Sequence, residues 1–105
     1  MPVASGGTPV QVLKLAEVAV GDSASGEASG RKVLVYRPEE EMVEAFSAVC
    51  THQGCTVAPA GDEFHCPCHG SVYSAQDGTV LDGPAPKPLQ RFAAAIDGDW
   101  ITVTT

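Results

Sequence analysis

Four cysteines and two of the three histidines fall in two six-residue stretches, Cys50-Thr51-His52-Gln53-Gly54-Cys55 and Cys66-Pro67-Cys68-His69-Gly70-Ser71. Thiolate and imidazole are both metal donors, and each stretch offers one of each from a short turn. Cys50 goes with His52 and Cys66 with His69, and thirteen residues separate His52 from Cys66. Such a pairing can place two sulfurs on one metal and two nitrogens on the next. A mononuclear zinc site of two cysteines and two histidines would use the same donors but leaves Cys55 and Cys68 unexplained. An all-cysteine zinc site fits less well, because Cys66-Pro67-Cys68 is tighter than the usual knuckle spacing and Cys50 to Cys55 is looser. Two disulfides without metal would leave His52 and His69 idle beside the sulfurs. Gly54 and Gly70 let the backbone turn tightly around the site.

The elements that must hold these stretches are short and extended. The chain has 105 residues, enough for one core, and its 11 Gly and 8 Pro point to many strands and tight turns. Residues 1–8 read as a flexible tail and residues 9–105 as the domain. A strand is expected over residues 9–14, and the Gly/Ser-rich run GDSASGEASG at residues 21–30 reads as a loop. Residues 31–36 read as a strand with Val33 and Val35 on one face. Residues 38–41 are expected to turn into a second strand over 42–49, although a proline followed by three glutamates is also how a helix starts. Residues 50–88 read as a loop-dominated inset. Residues 89–96 and 100–104 flank Asp97-Gly98-Asp99, a tight-hairpin signal, and this last hairpin is expected to pair with the earlier strands. Trp100, Phe46 and Phe92 are expected in the core. His65 is read as a solvent-facing strand residue.

Six Lys and Arg against thirteen Asp and Glu leave a net charge of −7, which argues against nucleic acid as a partner. The longest apolar run, residues 92–96, is far short of the roughly 20 residues that a membrane span requires. The N-terminal residues carry no basic stretch followed by an apolar one, so no secretory signal is read there.

The two stretches resemble the boxes of the Rieske iron-sulfur proteins, Cys-Thr-His-x-Gly-Cys and Cys-Pro-Cys-His-Gly-Ser, both intact and in the right order. The resemblance runs from about Cys50 to Leu89 and takes in Gly83-Pro84-Ala85-Pro86, similar to the family's loop covering the cluster. It implies an all-β fold, a β-sandwich-like base with an inserted loop-rich cluster-binding subdomain at about residues 50–86. It further implies a 2Fe-2S cluster with Cys50 and Cys66 on one iron, His52 and His69 on the other, and a disulfide between Cys55 and Cys68. Persistent disulfides belong to oxidising surroundings, so an extracytoplasmic or periplasmic setting is expected, with the signal or anchor missing from this chain.

Two neutral imidazoles in place of two thiolates remove negative charge beside iron. Rieske clusters as a class accordingly span roughly −150 to +300 mV, against about −400 mV for plant-type ferredoxins. Ser71 and Tyr73 match the serine and tyrosine whose hydroxyls donate to cluster sulfurs in high-potential members. The implied function is one-electron transfer in a quinol-to-cytochrome type chain. The alternative is a ferredoxin or small subunit feeding an oxygenase or a molybdenum enzyme such as arsenite oxidase. Oxygenase ferredoxins generally lack the disulfide cysteines. Gln53 stands where quinol-oxidising members usually carry an apolar residue, which counts against quinol docking. Between Pro38 and Pro86 the chain has no Lys or Arg but eight acids: Glu39, Glu40, Glu41, Glu44, Asp62, Glu63, Asp77 and Asp82. The cluster end is therefore expected to be negative, either for solubility or for a redox partner, such as a cytochrome, with a basic face. Because each ligand histidine keeps one free ring nitrogen, the midpoint potential is expected to fall with pH once a histidine titrates. The slope should approach about 59 mV per pH unit per proton, and a voltammetric series that stays flat from neutral to strongly alkaline pH overturns this.

Overall fold

The computed structural model describes residues 8–51, 55–68, 70–83 and 85–105. Among these described residues ten strands follow in order: β1 (Val10–Lys14), β2 (Asp22–Ala28), β3 (Arg31–Glu39), β4 (Met42–Ser47), β5 (Ala58–Ala60), β6 (Glu63–His65), β7 (Val72–Ser74), β8 (Val80–Asp82), β9 (Arg91–Asp97) and β10 (Trp100–Thr104). A single 3-10 turn, Leu15–Glu17, breaks the series after β1. The chain is all-β, as its composition and motifs imply. No helix among the described residues is long and apolar enough to cross a membrane.

A six-stranded sheet in the order β1-β10-β9-β4-β3-β2 forms the base, and β5-β6-β7-β8 form a second, four-stranded sheet. The terminal hairpin pairs as expected, β10 with β1 and β9 with β4, around Gly98 at φ +60°. Strands β3 and β4 do more than one-sided alternation suggests. Val33, Val35 and Ala45 enter a base core with Phe92, Ile101 and Val103. Leu34, Tyr36, Phe46 and Ala48 point the other way, into a core shared with Val57, Phe64, Tyr73 and Leu89 of the inset. One pair of strands is thus dry on both faces, and the inset is built directly on the second.

Three expectations are corrected. The run read as a loop at residues 21–30 contains β2, paired along its whole length with β3 from Asp22↔Arg37 to Ala28↔Arg31. Its small residues are explained by where it lies. The base sheet curls until β2 meets β1, and a Cβ on Gly26 would stand 2.3 Å from Val12 Cγ1. The inset is loop-rich, as read, and four antiparallel strands of three residues each span it, too short to leave a periodic signal. Trp100 is only partly buried, with Lys14 Nζ 5.7 Å from its ring centroid, whereas Phe46 and Phe92 are buried. Pro38 lies inside β3 at a register slip between Tyr36 and Glu39, where the missing N–H is tolerated, and the turn itself falls at residues 40–41.

Replacing Gly26 by Ala therefore overfills the closure between β1 and β2. Gly26→Ala is expected to cost about 1–3 kcal/mol in denaturant unfolding, and adding Val12→Ala should restore part of that loss.

Candidate metal centre

Each cysteine-histidine stretch lies between two backbone segments that pair with each other. The first is carried by the chain leaving β4 and returning to β5, with Val49 bridged to Thr56. The second joins β6 to β7. Both are closed by the same contact, a backbone N–H of the first cysteine donated to the carbonyl five residues on: Cys50 to Cys55 at 2.8 Å and Cys66 to Ser71 at 2.8 Å. Cys50 and Cys66, 2% and 1% exposed, face the apolar core that the inset shares with β3 and β4. Cys55 and Cys68 are joined as a disulfide with Cα atoms 6.4 Å apart, tying one stretch to the other. His52, Gln53, Gly54, His69 and Pro84, like residues 1–7, lie outside the described residues.

Tyr73 is fully buried on β7, opposite Phe64, and its hydroxyl lies 3.2 Å from Cys50 Sγ. Its other neighbours restrict where its proton goes. The Thr51 N–H donates to the phenol oxygen at 3.2 Å, and Thr51 Oγ1 lies 3.1 Å away. The Thr51 hydroxyl donates its own proton to the Lys87 carbonyl at 2.6 Å. A carbonyl and an N–H have fixed roles, so the phenol proton has only Thr51 Oγ1 and Cys50 Sγ to go to. Burial, together with the bond to Cys50, raises the phenol above its ordinary value, so it stays a donor at neutral pH. Thr51 was visible in the motif, but its link between Tyr73 and the segment after Pro86 depends on a fold that brings residues 51, 73 and 87 together.

Ser71 is buried, and its hydroxyl has no hydrogen-bond partner among the described residues. A buried donor left unmet in a native fold calls for an acceptor. Gly83, at φ +90°, packs on this stretch so closely that a Cβ there would stand 2.5 Å from Ser71 Cα. Two residues on, Ala85 enters the same core as Cys50 and Cys66. Two buried cysteines, an unmet hydroxyl, a phenol within hydrogen-bond reach of sulfur and a close-packed third segment fit a sulfide-bridged cluster.

A family model for the Rieske [2Fe-2S] domain matches residues 8–93. This chain belongs to that family. Its cofactor is a 2Fe-2S cluster. Among curated relatives, it is 39% identical over 93 residues to the cytochrome b6-f complex iron-sulfur subunit of Chlorobaculum thiosulfatiphilum, covering 87% of this chain and 50% of that protein. It is 37% identical over 106 residues to the subunit of the same name from Gloeobacter violaceus, covering 98% and 52%. The Rieske chain thus spans about half the length of these relatives. Among solved structures, the cyanobacterial plasma membrane Rieske protein PetC3 from Synechocystis PCC 6803 is similar at TM-score 0.70 and 33% identity, covering 81% of this chain and 87% of that one. The ferredoxin of carbazole 1,9a-dioxygenase from Nocardioides aromaticivorans IC177 is similar at TM-score 0.75 and 25% identity, covering 92% and 97%.

The charge around the Rieske centre is more local than the sequence count implies. Glu39, Glu40 and Glu41 lie at the far end of the β3–β4 hairpin from Cys50, and Glu44 is paired with Arg91. Asp62, Glu63, Asp77 and Asp82 remain on the small sheet and its turns. His65 is solvent-facing, as read, with Nε2 3.1 Å from Glu63 Oε1.

The disulfide closes a segment of sequence separation 13. Cys55→Ser is expected to lower stability by about 3 kcal/mol on the chain-entropy account. Denaturant unfolding checks this, and an unchanged midpoint overturns it.

Proposed function

We propose that the protein is a one-electron carrier of high potential working between a quinol and a cytochrome. In this reading Cys50 and Cys66 ligate one iron, and His52 and His69 the other. The bound cluster supplies the electron-accepting centre. The protein's own groups determine how readily it accepts. Donation from Tyr73 to Cys50 Sγ stabilises the more electron-rich, reduced form and raises the potential, and the unmet Ser71 hydroxyl is placed to act in the same sense on a cluster sulfur. The core around both cysteines excludes water and strengthens each of these bonds. Gly83, Pro84, Ala85 and Pro86 cover the cluster.

The observation that carries this reading is the Tyr73 hydroxyl 3.2 Å from Cys50 Sγ. The relatives named as cytochrome b6-f subunits support the quinol-to-cytochrome setting over the oxygenase-feeding one, and the disulfide supports an extracytoplasmic site of action. The partner's docking face would be basic and meet the cluster end at Asp82, beside the approach of Gly83 to Ser71, so association weakens as salt rises.

Direct voltammetry of the cluster-loaded protein at neutral pH tests the reading. A potential well above zero is expected, lowered by Tyr73→Phe and by Ser71→Ala. A value near about −150 mV, the lower end for this cluster class, would overturn it in favour of an oxygenase-feeding role.

A further inference from the structure

We propose that Arg91, outside both cysteine-histidine stretches, is a positioning residue for the cluster. Together with Glu44 it holds the turn after β7 against the base sheet, and so keeps the Tyr73 hydroxyl on Cys50 Sγ. The inference rests on the reading above that Cys50 is a ligand tuned by Tyr73.

Arg91 opens β9 and stands opposite Phe46 of β4, on the face that carries the inset. Its Nη2 donates to Glu44 Oε1 and also to the Gln76 carbonyl at 3.1 Å. Its guanidinium carbon sits 5.3 Å from the centre of the Phe46 ring. One side chain thereby grips two base-sheet residues and the turn that leaves β7 three residues after Tyr73. That turn is itself closed, with Ser74 N–H to Thr79 O at 2.8 Å and Gly78 N–H to Ser74 O at 2.7 Å, so a pull on Gln76 is carried to Ser74. Gly78 rests on Phe46, where a Cβ would be 3.0 Å from the ring. Phe46 stacks edge-on with Phe64, centroids 5.6 Å apart at 62°, and Phe64 lies across the ladder from Tyr73. Arg91 is thereby linked to the strand that carries the phenol, once through the turn to Ser74 and once through the rings to Phe64, the ladder partner of Tyr73.

The pair is suited to setting geometry more than to adding stability. Burial raises the Glu44 carboxyl above its ordinary value, only partly offset by Arg91 beside it. A half-buried pair of this kind specifies an arrangement at little net gain. Nη2 donates both bonds while the planar guanidinium lies against the Phe46 ring, an arrangement that a lysine ammonium on a flexible stem reproduces less well.

Midpoint potentials of the cluster-loaded protein carrying Arg91→Gln, Arg91→Lys, Glu44→Ala and Tyr73→Phe separate positioning from simple charge. If Arg91 and Glu44 acted only through their fields, removing the cation would lower the potential, removing the anion would raise it, and Arg91→Lys would leave it in place. Positioning predicts a fall in all three. Each tenfold loss of the phenol's preference for the reduced form reads as about 59 mV for a one-electron couple. In a Tyr73→Phe background, Arg91→Lys and Glu44→Ala should cause no further loss; full additivity overturns the proposal, as does opposite movement of the Arg91→Gln and Glu44→Ala potentials. If Tyr73→Phe itself leaves the potential unchanged, it is the tuning role of Tyr73 that fails. Amide exchange at Ala75 and Gly78 is read alongside, and is expected to speed up in Arg91→Gln even if that variant holds cluster poorly. Unchanged exchange there overturns the grip on the turn.

Discussion

The structure depends on a pair of strands that is dry on both sides. In β3 and β4, successive residues alternate between two cores, with Val33, Val35 and Ala45 in one and Leu34, Tyr36 and Phe46 in the other. A strand shows its side chains to opposite faces with a period of two, so a single run of apolar residues serves both cores without interruption. The inset could not form its own interior. Its strands are three residues long, and a sheet of that size needs a partner surface to bury one face. The second face of β3 and β4 provides it, which places the cysteines at a fixed height above the base.

On that floor the two cysteine-histidine stretches are closed by the same backbone contact. Each uses the N–H of its first cysteine, and the disulfide ties them together. The remaining segment, from Gly83 to Leu89, is drawn down at both ends, by the close approach of Gly83 to Ser71 and by the burial of Leu89. Thr51 fastens its middle through the Lys87 carbonyl. Three stretches distant in sequence thus share one small core, into which Tyr73 brings a hydroxyl beside a sulfur and Ser71 one without a partner among the described residues.

The site was more legible in the sequence than the scaffold. Cysteine and histidine are rare and chemically specific, so six of them in two short stretches carry information that no β-strand pattern matches. Ser71 and Tyr73 could be singled out because they stand at set offsets from Cys66. The hairpin around Gly98 was equally plain, since its Asp-Gly turn lies between two long strands. What could not be read was tertiary in origin. The small residues of β2 look like a linker until the curl of the sheet brings Val12 against Gly26, and three-residue strands are shorter than any periodic signal. The glutamates before Met42 look like part of the cluster's surroundings in one dimension, and the length of β4 separates them in three. Arg91 and Glu44 are 47 positions apart, and nothing local marks them as neighbours.

The curl of the base sheet has a further consequence. An open six-stranded sheet would present two rims of unpaired N–H and carbonyl groups, each a template on which another extended chain could add. Here the outermost strands, β1 and β2, lie against each other at Val12 and Gly26, so each shields part of the other's rim. The edge strands of the small sheet, β5 and β8, are three residues long, and β5 carries Pro59 while β8 ends in Asp82, which gives an incoming strand little length, a missing donor on one side and an unfavourable charge on the other. The domain is thereby protected from lasting backbone pairing with other chains, and its encounters are left to side chains.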